Sequence, residues 1–271
     1  MYQKGPRLDH ALADDLCLPH PDTLDTTMKE VELLPGMRPG IKKMLQRMGQ
    51  KMKHLFQDCI ILADEIHLKH GFSYDKKRDR TTGVVDHGEF GREEKPAKSA
   101  LVYMLRSIYG NWKIPIAYYL TNSTDGKTLA KLTTKIVEEV EDTPLRIRAM
   151  VCDAVSTNKA MYRALGASKT SPFFNIKGRK IYALFDPPHL LKAIRNCLLE
   201  YVIHSGKDSY DWADIVAFYN VDKEMKARIA PKLTEVHLDP NSLEKMSVAK
   251  ATQIFSSQVA AGMFTHASYS K

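Results

Sequence analysis

Cys59-Ile60-Ile61-Leu62-Ala63-Asp64-Glu65 is a short, almost wholly apolar run that ends abruptly in two carboxylates. A run of this length bounded by polar residues suits a strand buried on both faces better than a helix, although periodicity alone does not separate the two. A buried strand that delivers a carboxylate at its end is one way to build a metal or acid–base site. The arrangement recurs in Met150-Val151-Cys152-Asp153 and again in Tyr182-Ala183-Leu184-Phe185-Asp186. These three runs ending in aspartate are the main functional lead in the chain.

Upstream of the first run, Ile41, Met44, Leu45, Met48, Met52, Leu55 and Phe56 recur at helical spacing and predict a helix with one apolar face. No acidic residue lies between Leu33 and Gln57, whereas Arg38, Lys42, Lys43, Arg47, Lys51 and Lys53 are basic. A helix whose solvent face carries one sign suits phosphate tracking, with Lys42, Lys43 and Arg47 as candidate DNA contacts, or is simply a solvated face. Further back, His10–Leu16 and Thr23–Leu33 read as short helices, the second capped by Asp22.

Downstream, the segment from Ile66 to Tyr74, the charged turn 75–80 and Thr81–Val85 predict a hairpin. His67 and His70 stand three apart, which on a strand puts them on opposite faces and argues against a shared metal. Asp86–Lys98 reads as a charged loop. Ala100–Leu105 and Ile114–Leu120 are the next apolar segments, and Pro115 marks the second as an edge or interrupted strand. Asp125-Gly126 opens a helix with Leu129, Leu132, Ile136 and Val140 inside and Glu138, Glu139 and Glu141 outside. A strand over 146–153, a helix capped by Ser156-Thr157, a strand over 181–186 and a helix opened by Pro187-Pro188 follow. The last should bury Leu190, Leu191, Ile194, Leu198 and Tyr201. Antiparallel strands followed by helix–strand alternation give an α/β fold, a ribonuclease-H-like mixed sheet with flanking helices. In that fold the first strand is central and the fourth lies beside it in parallel, so Asp64 and Asp153 should converge at one sheet edge. Oxygen ligands there suit Mg²⁺ or Mn²⁺. Either aspartate could instead be a strand-end cap or an ion-pair partner. Beyond Tyr201, residues 208–230 and 246–263 read as helices.

Composition sets the bounds. The 271 residues, 44% hydrophobic and 27% charged, are those of a soluble globular chain, and the net charge of +8 is compatible with a polyanionic partner. Cys17, Cys59, Cys152 and Cys197 form no Cys-x-x-Cys pair, which disfavours a zinc knuckle and suits a reducing compartment. No apolar run is long enough to cross a bilayer. Gly83 and Gly88 have phosphate-loop spacing, but Glu89 occupies the lysine position.

The chain resembles the P-element transposase family. The likeness is carried by Leu18-Pro19-His20-Pro21-Asp22-Thr23-Leu24, Ala63-Asp64-Glu65-Ile66, Val151-Cys152-Asp153 through Asn158, and Phe185-Asp186-Pro187-Pro188-His189-Leu190-Leu191-Lys192. It continues through Pro231-Lys232-Leu233-Thr234-Glu235-Val236-His237 and Lys245-Met246-Ser247-Val248-Ala249. The resemblance implies a helical lead-in over 1–57, an RNase H-like core over 58–203 and part of an all-helical GTP-binding insertion over 204–271. It implies metal-dependent DNA cleavage and strand transfer in the nucleus, on transposon ends and target DNA, by a protein able to self-associate. Asp64 and Asp153 match two metal-holding aspartates. The third ligand, a helix-borne glutamate, is expected beyond Lys271, with Glu200 the local substitute. Lys232 and Val248 stand where the GTP pocket begins. A domesticated, non-catalytic DNA- or GTP-binding protein is the alternative, and a nuclease on RNA–DNA hybrids a third reading.

Overall fold

Residues 34–69, 71–76 and 79–269 are described by a computed structural model; the helices expected over 10–16 and 23–33, and His70, lie outside them. Strand β1 (Gly36–Met37) and helix α1 (Pro39–Lys51) lead into the long strand β2 (Asp58–His67). A small hairpin, β3 (Ser73–Asp75) with β4 (Arg80–Thr82), precedes β5 (Val84–Asp86), β6 (Arg92–Pro96), β7 (Ser99–Ser107) and β8 (Lys113–Thr121). Helices and strands then alternate through α2 (Gly126–Glu141), β9 (Arg146–Cys152), α3 (Ser156–Ala164), β10 (Phe173–Ile176), β11 (Arg179–Phe185) and α4 (Pro187–Glu200). The rest is a hairpin, β12 (Ile203–Ser205) and β13 (Asp208–Tyr210), followed by helices α5 (Trp212–Asp222), α6 (Glu235–Leu238), α7 (Val248–Ile254) and α8 (Ser257–Tyr269).

The main sheet runs β10-β11-β9-β2-β7-β8-β5-β6, with β1 added to β8. β2 is central, antiparallel to β7 and parallel to β9, which is in turn parallel to β11. Helices α2 and α3 cover one face of it. Leu129, Leu132, Ile136 and Val140 of α2 and Met161 and Tyr162 of α3 pack there with Ile61, Tyr103, Leu105, Ile147 and Met150. Inside this core the hydroxyls of Tyr103 and Thr133 share a 2.9 Å hydrogen bond. Asp125 caps α2 by accepting from Lys127 N and Thr128 N. Helix α1 joins the same core through Leu45.

Several expectations change. β2 is not buried on both faces: Cys59, Ile61 and Ala63 are buried, while Ile60 and Leu62, pointing the other way, are half-buried among the described residues. The expected loop 86–98 contains a 3-10 turn and β6, bonded to β5. Pro115 lies at a register shift in the β7–β8 ladder, so β8 is interrupted without being an edge. Glu141 turns inward, accepting from Ile147 N at 2.8 Å and pairing with Arg179. Val155, not Ser156, is the N-cap of α3. Phe173–Ile176 adds a strand that short polar-flanked runs conceal. In α4 the buried residues are Arg195 and Leu198, while Leu190, Ile194 and Tyr201 are exposed. The expected single helix 246–263 is broken at Phe255 into α7 and α8, and a hairpin lies in the segment expected to be helical. Met44, Leu55 and Phe56 are exposed rather than core. A second cluster gathers Leu198, Ile215, Phe218, Tyr219, Leu233, Ile254 and Val259.

Two tests follow from this packing. A Cβ on Gly126 would lie 2.5 Å from Ala160 Cβ and 2.8 Å from its carbonyl carbon. Gly126→Ala should therefore destabilise the chain by about 1–3 kcal/mol despite alanine's better helix propensity, read as a fall in the urea midpoint. At the sheet's other end, Lys177, with Lys42 at 2.8 Å, holds the Asp142 carboxyl down to about 2 from its ordinary 3.8. A lowered folded-state value means stability that is present above pH 3.8 and lost as pH falls toward 2. Lys42→Gln should shrink the part of the acid-induced fall in melting temperature that lies in that window.

Candidate functional site

The position of the first two aspartates depends on a one-residue slip. β2 and β9 pair as Cys59 with Ile147, then as Ile60 with Ala149, so Arg148 is the extra residue of a bulge. From there the ladder runs to Leu62 with Val151, two residues short of Asp64 and Asp153. The bulge is held by Asp58, whose Oδ1 accepts from Arg146 Nε at 2.7 Å and Arg148 Nε at 3.0 Å. Those guanidiniums keep the Asp58 carboxyl below its usual range although burial opposes them. On the other side of β9, Phe185 pairs with Cys152, and Asp186 N donates to Cys152 O at 2.8 Å. Of three adjacent parallel strands, β9 and β11 are thus each followed directly by an aspartate, and β2 carries Asp64 three residues before its own end.

Asp64, Asp153 and Asp186 line a single cleft of about 330 Å³. Leu62, Val102, Met104 and Val151, all half-buried, form its apolar floor, and His189 borders it. Asp64 is exposed, and its Oδ1 accepts from Glu65 N at 2.9 Å. Asp153 is half-buried and oriented by Asn158, whose side-chain amide donates to both its carboxylate and its carbonyl oxygen. Asp186 caps α4, accepting from His189 N at 3.2 Å. Pro187 and Pro188 have no N–H, so this helix start needs little further capping. Burial pushes the thiol of Cys152, beside Asp153, up to about 11, which leaves it protonated and unreactive at neutral pH.

Carboxylate oxygens are the donors that Mg²⁺ and Mn²⁺ prefer, so Asp64 and Asp153 are of the donor type such an ion takes. They do not enclose it: among the described residues no three His, Cys, Asp or Glu side chains are gathered closely enough to hold a metal. Glu200 is the last residue of the 14-residue α4, about 20 Å from the helix start at the cleft, and so is no substitute.

The other candidates lie elsewhere. Lys42 is engaged by Asp142, whereas Lys43 and Arg47 join Lys51 at one-turn spacing along an exposed groove of α1. Gly49 of this helix touches Pro144, just before β9 begins, so the stripe sits at the opposite end of β9 from Asp153, about 20 Å away. Lys232 and Val248 are both exposed. The segments that carry them are tied by buried His237, which accepts from Thr234 N at 3.2 Å through Nδ1 and meets Gln253 Oε1 at 2.6 Å through Nε2. Because a backbone N–H only donates, the His237 proton sits on Nε2. Asp186, Asn158 and His189 were not assigned to the site from sequence. Asp186 was visible as the third apolar run, but its proximity to the first two needs the β9–β11 pairing, and Asn158 needs the turn of α3.

Comparison with known proteins agrees with this architecture. The family model for the TNP-like RNase H N-terminal domain matches residues 33–166, and that for the TNP-like GTP-binding insertion domain matches 188–270. The human DNA transposase THAP9 is 26% identical over 263 residues, covering 92% of this chain and 28% of its own length. The Transposable element P transposase of Drosophila melanogaster is 22% identical over 267 residues, covering 97% of this chain and 33% of its own length. The chain therefore spans about a third or less of these relatives. The solved Drosophila P element transposase strand transfer complex superposes with a TM-score of 0.81 at 22% identity, over 98% of this chain and 57% of that one, and so shares its fold. With both domain models matched in order along one mixed-sheet chain, this protein belongs to the TNP-like family of transposase-derived, RNase H-like proteins related to the P-element transposase.

Proposed function

We propose that the chain supplies the two-aspartate half of a metal-dependent DNA cleavage and strand-transfer site. The single observation that supports this is the convergence of Asp64 and Asp153, from adjacent parallel strand ends, on one cleft. When bound there, Mg²⁺ or Mn²⁺ would polarise a phosphodiester oxygen and favour an attacking water. The chain's own residues provide the charge and its placement. Asp64 and Asp153 supply the oxygens, Asn158 fixes the orientation of Asp153, and the apolar floor keeps bulk water from one side. That floor would also seat an element carrying a third carboxylate beside the two aspartates.

The same reading assigns residues 58–203 to the core, with the lead-in before it and the insertion after it, and places the working protein in the nucleus. GTP is the ligand suited to the 188–270 domain, with Lys232 and Val248 at the pocket's edge. DNA is the partner of the α1 stripe. The absence of a three-ligand cluster among the described residues favours the alternative for the chain by itself, a non-catalytic DNA- or GTP-binding unit.

Two experiments separate these. The purified chain with Mn²⁺ and a labelled transposon-end duplex should give no cleavage, yet should bind Mn²⁺ weakly by electron paramagnetic resonance, and Asp64→Asn or Asp153→Asn should weaken that binding at least tenfold. Cleavage abolished by Asp64→Ala would instead mean that a local carboxylate, Asp186 foremost, completes the site. For DNA, neutralising Lys43, Arg47 and Lys51 together should reduce the slope of log Kobs against log[NaCl] by about 2–3, and an unchanged slope would return α1 to a solvated surface. Lys42→Gln, already paired with Asp142, should leave that slope unmoved.

A further inference from the structure

Between Asp153 and Asp186 the chain carries six basic residues and no acidic one. Tertiary structure divides the six. Lys177 is bonded to Asp142 and Arg179 to Glu141, and Lys180 lies over the rings of Phe173, 3.8 Å from its centroid, and Tyr182. Lys159, Arg163 and Lys169 are exposed, and none meets a carboxylate among the described residues.

The neighbouring helix repeats the pattern. On α2, Lys127 and Lys131 are exposed one turn apart and likewise meet no carboxylate among the described residues, whereas Lys135 is taken up by Glu89 and Glu139. Lys127 and Lys131 line a groove that Lys135, Glu89 and Glu138 also line, bordered by Ala164 and Leu165 at the end of α3, next to Arg163. The two helices are locked together by the close approach of Gly126 to Ala160, so these cations share one rigid outer surface. Asp125, the nearest acid in sequence, has its carboxylate occupied by Lys127 N, Thr128 N and the Thr128 hydroxyl.

The placement matters as much as the charge. β8 is antiparallel to β7, and β7 to β2, so β8 ends at the same sheet edge as Asp64, and α2 starts there. Helix α3 starts just after Asp153. Unpaired cations therefore flank the cleft end of the sheet on the helix-covered side, away from the α1 stripe. Side chains one helical turn apart stand about 5–6 Å from each other, close enough to meet successive phosphates.

We propose that the outer surface of α2 and α3, carrying Lys127, Lys131, Lys159 and Arg163 with Lys169 at its rim, docks the phosphate backbone of double-stranded DNA. The choice of DNA rests on the transposase reading above; the surface itself rests on the sorting of its charges.

The test is fluorescence anisotropy of the full chain with a labelled 30-base-pair duplex over a NaCl series. Each phosphate neutralised contributes about 0.9 to the salt slope, so changing all five residues to glutamine should lower the slope by about 3–4 and weaken binding more than tenfold at low salt. The melting temperature should hold, since the positions are exposed, and the matching set of Lys→Arg changes with Arg163 retained should keep wild-type binding. Wild-type binding with an unchanged slope in the glutamine variant would overturn the surface and leave the DNA reading standing. No binding by the wild-type chain would overturn both. Preference for single-stranded RNA or polyglutamate over the duplex, lost in the same variant, would overturn DNA as the partner.

Discussion

The parallel pairing of β2 with β9, and the bulge within it, is the constraint on which the site depends. If the register of Cys59 with Ile147 simply continued, Asp64 would stand across from Cys152, whose side chain points into the buried face. The extra residue at Arg148 shifts the ladder by one, pairs Leu62 with Val151 and so directs Asp64 and Asp153 into the same cleft. Asp58 clamps the bulge residue Arg148 together with Arg146, so an ion-pair cluster at the far end of the strands fixes the geometry at the near end. Helix α2 is the crossover that makes the parallel pairing possible, because parallel neighbours cannot be joined by a tight turn.

Asymmetry of the two sheet faces carries the second consequence. On one face α2 and α3 bury Ile61, Met150 and Tyr103 completely. On the other, Leu62, Val102, Met104 and Val151 remain half-buried beneath the carboxylates. Each carboxylate there accepts one amide hydrogen bond and keeps further lone pairs for a cation, and an apolar shelf offers purchase for a further packed element. In the proposed site the same face would serve both the chemistry and its completion.

Charge is organised by pairing rather than by count. A net +8 distributed evenly would say little, but a group of paired basic residues lies where β9 begins, with Arg146, Arg148, Arg179, Lys42 and Lys177 absorbed by Asp58, Glu141 and Asp142. Among the basic residues without a carboxylate partner in the described residues are two groups, one along α1 and one on α2 with α3. Lys42 and Lys43 are adjacent in sequence, yet only one keeps its charge available, because one points toward the end of α2 and the other into solvent.

Local sequence determined the elements whose signal is self-contained. The apolar run 59–63, the Asp125 cap with its 3.6-residue apolar stripe and the Pro187-Pro188 helix start each encode their own conformation, and their order named the fold. Family blocks along the chain pointed to the same lineage that the two domain models identify. What depended on partners was not legible. The inward turn of Glu141 needs Arg179, and the strand at 173–176 needs β11 beside it. The exposure of Leu190 and Ile194 follows from α4 burying Arg195 and Leu198 instead. Asp186 and Asn158 enter the cleft only through strand register and helix direction. Sequence specifies what each segment prefers within a few residues; register, face and charge pairing are set between segments distant in the chain, and only the folded structure brings those together.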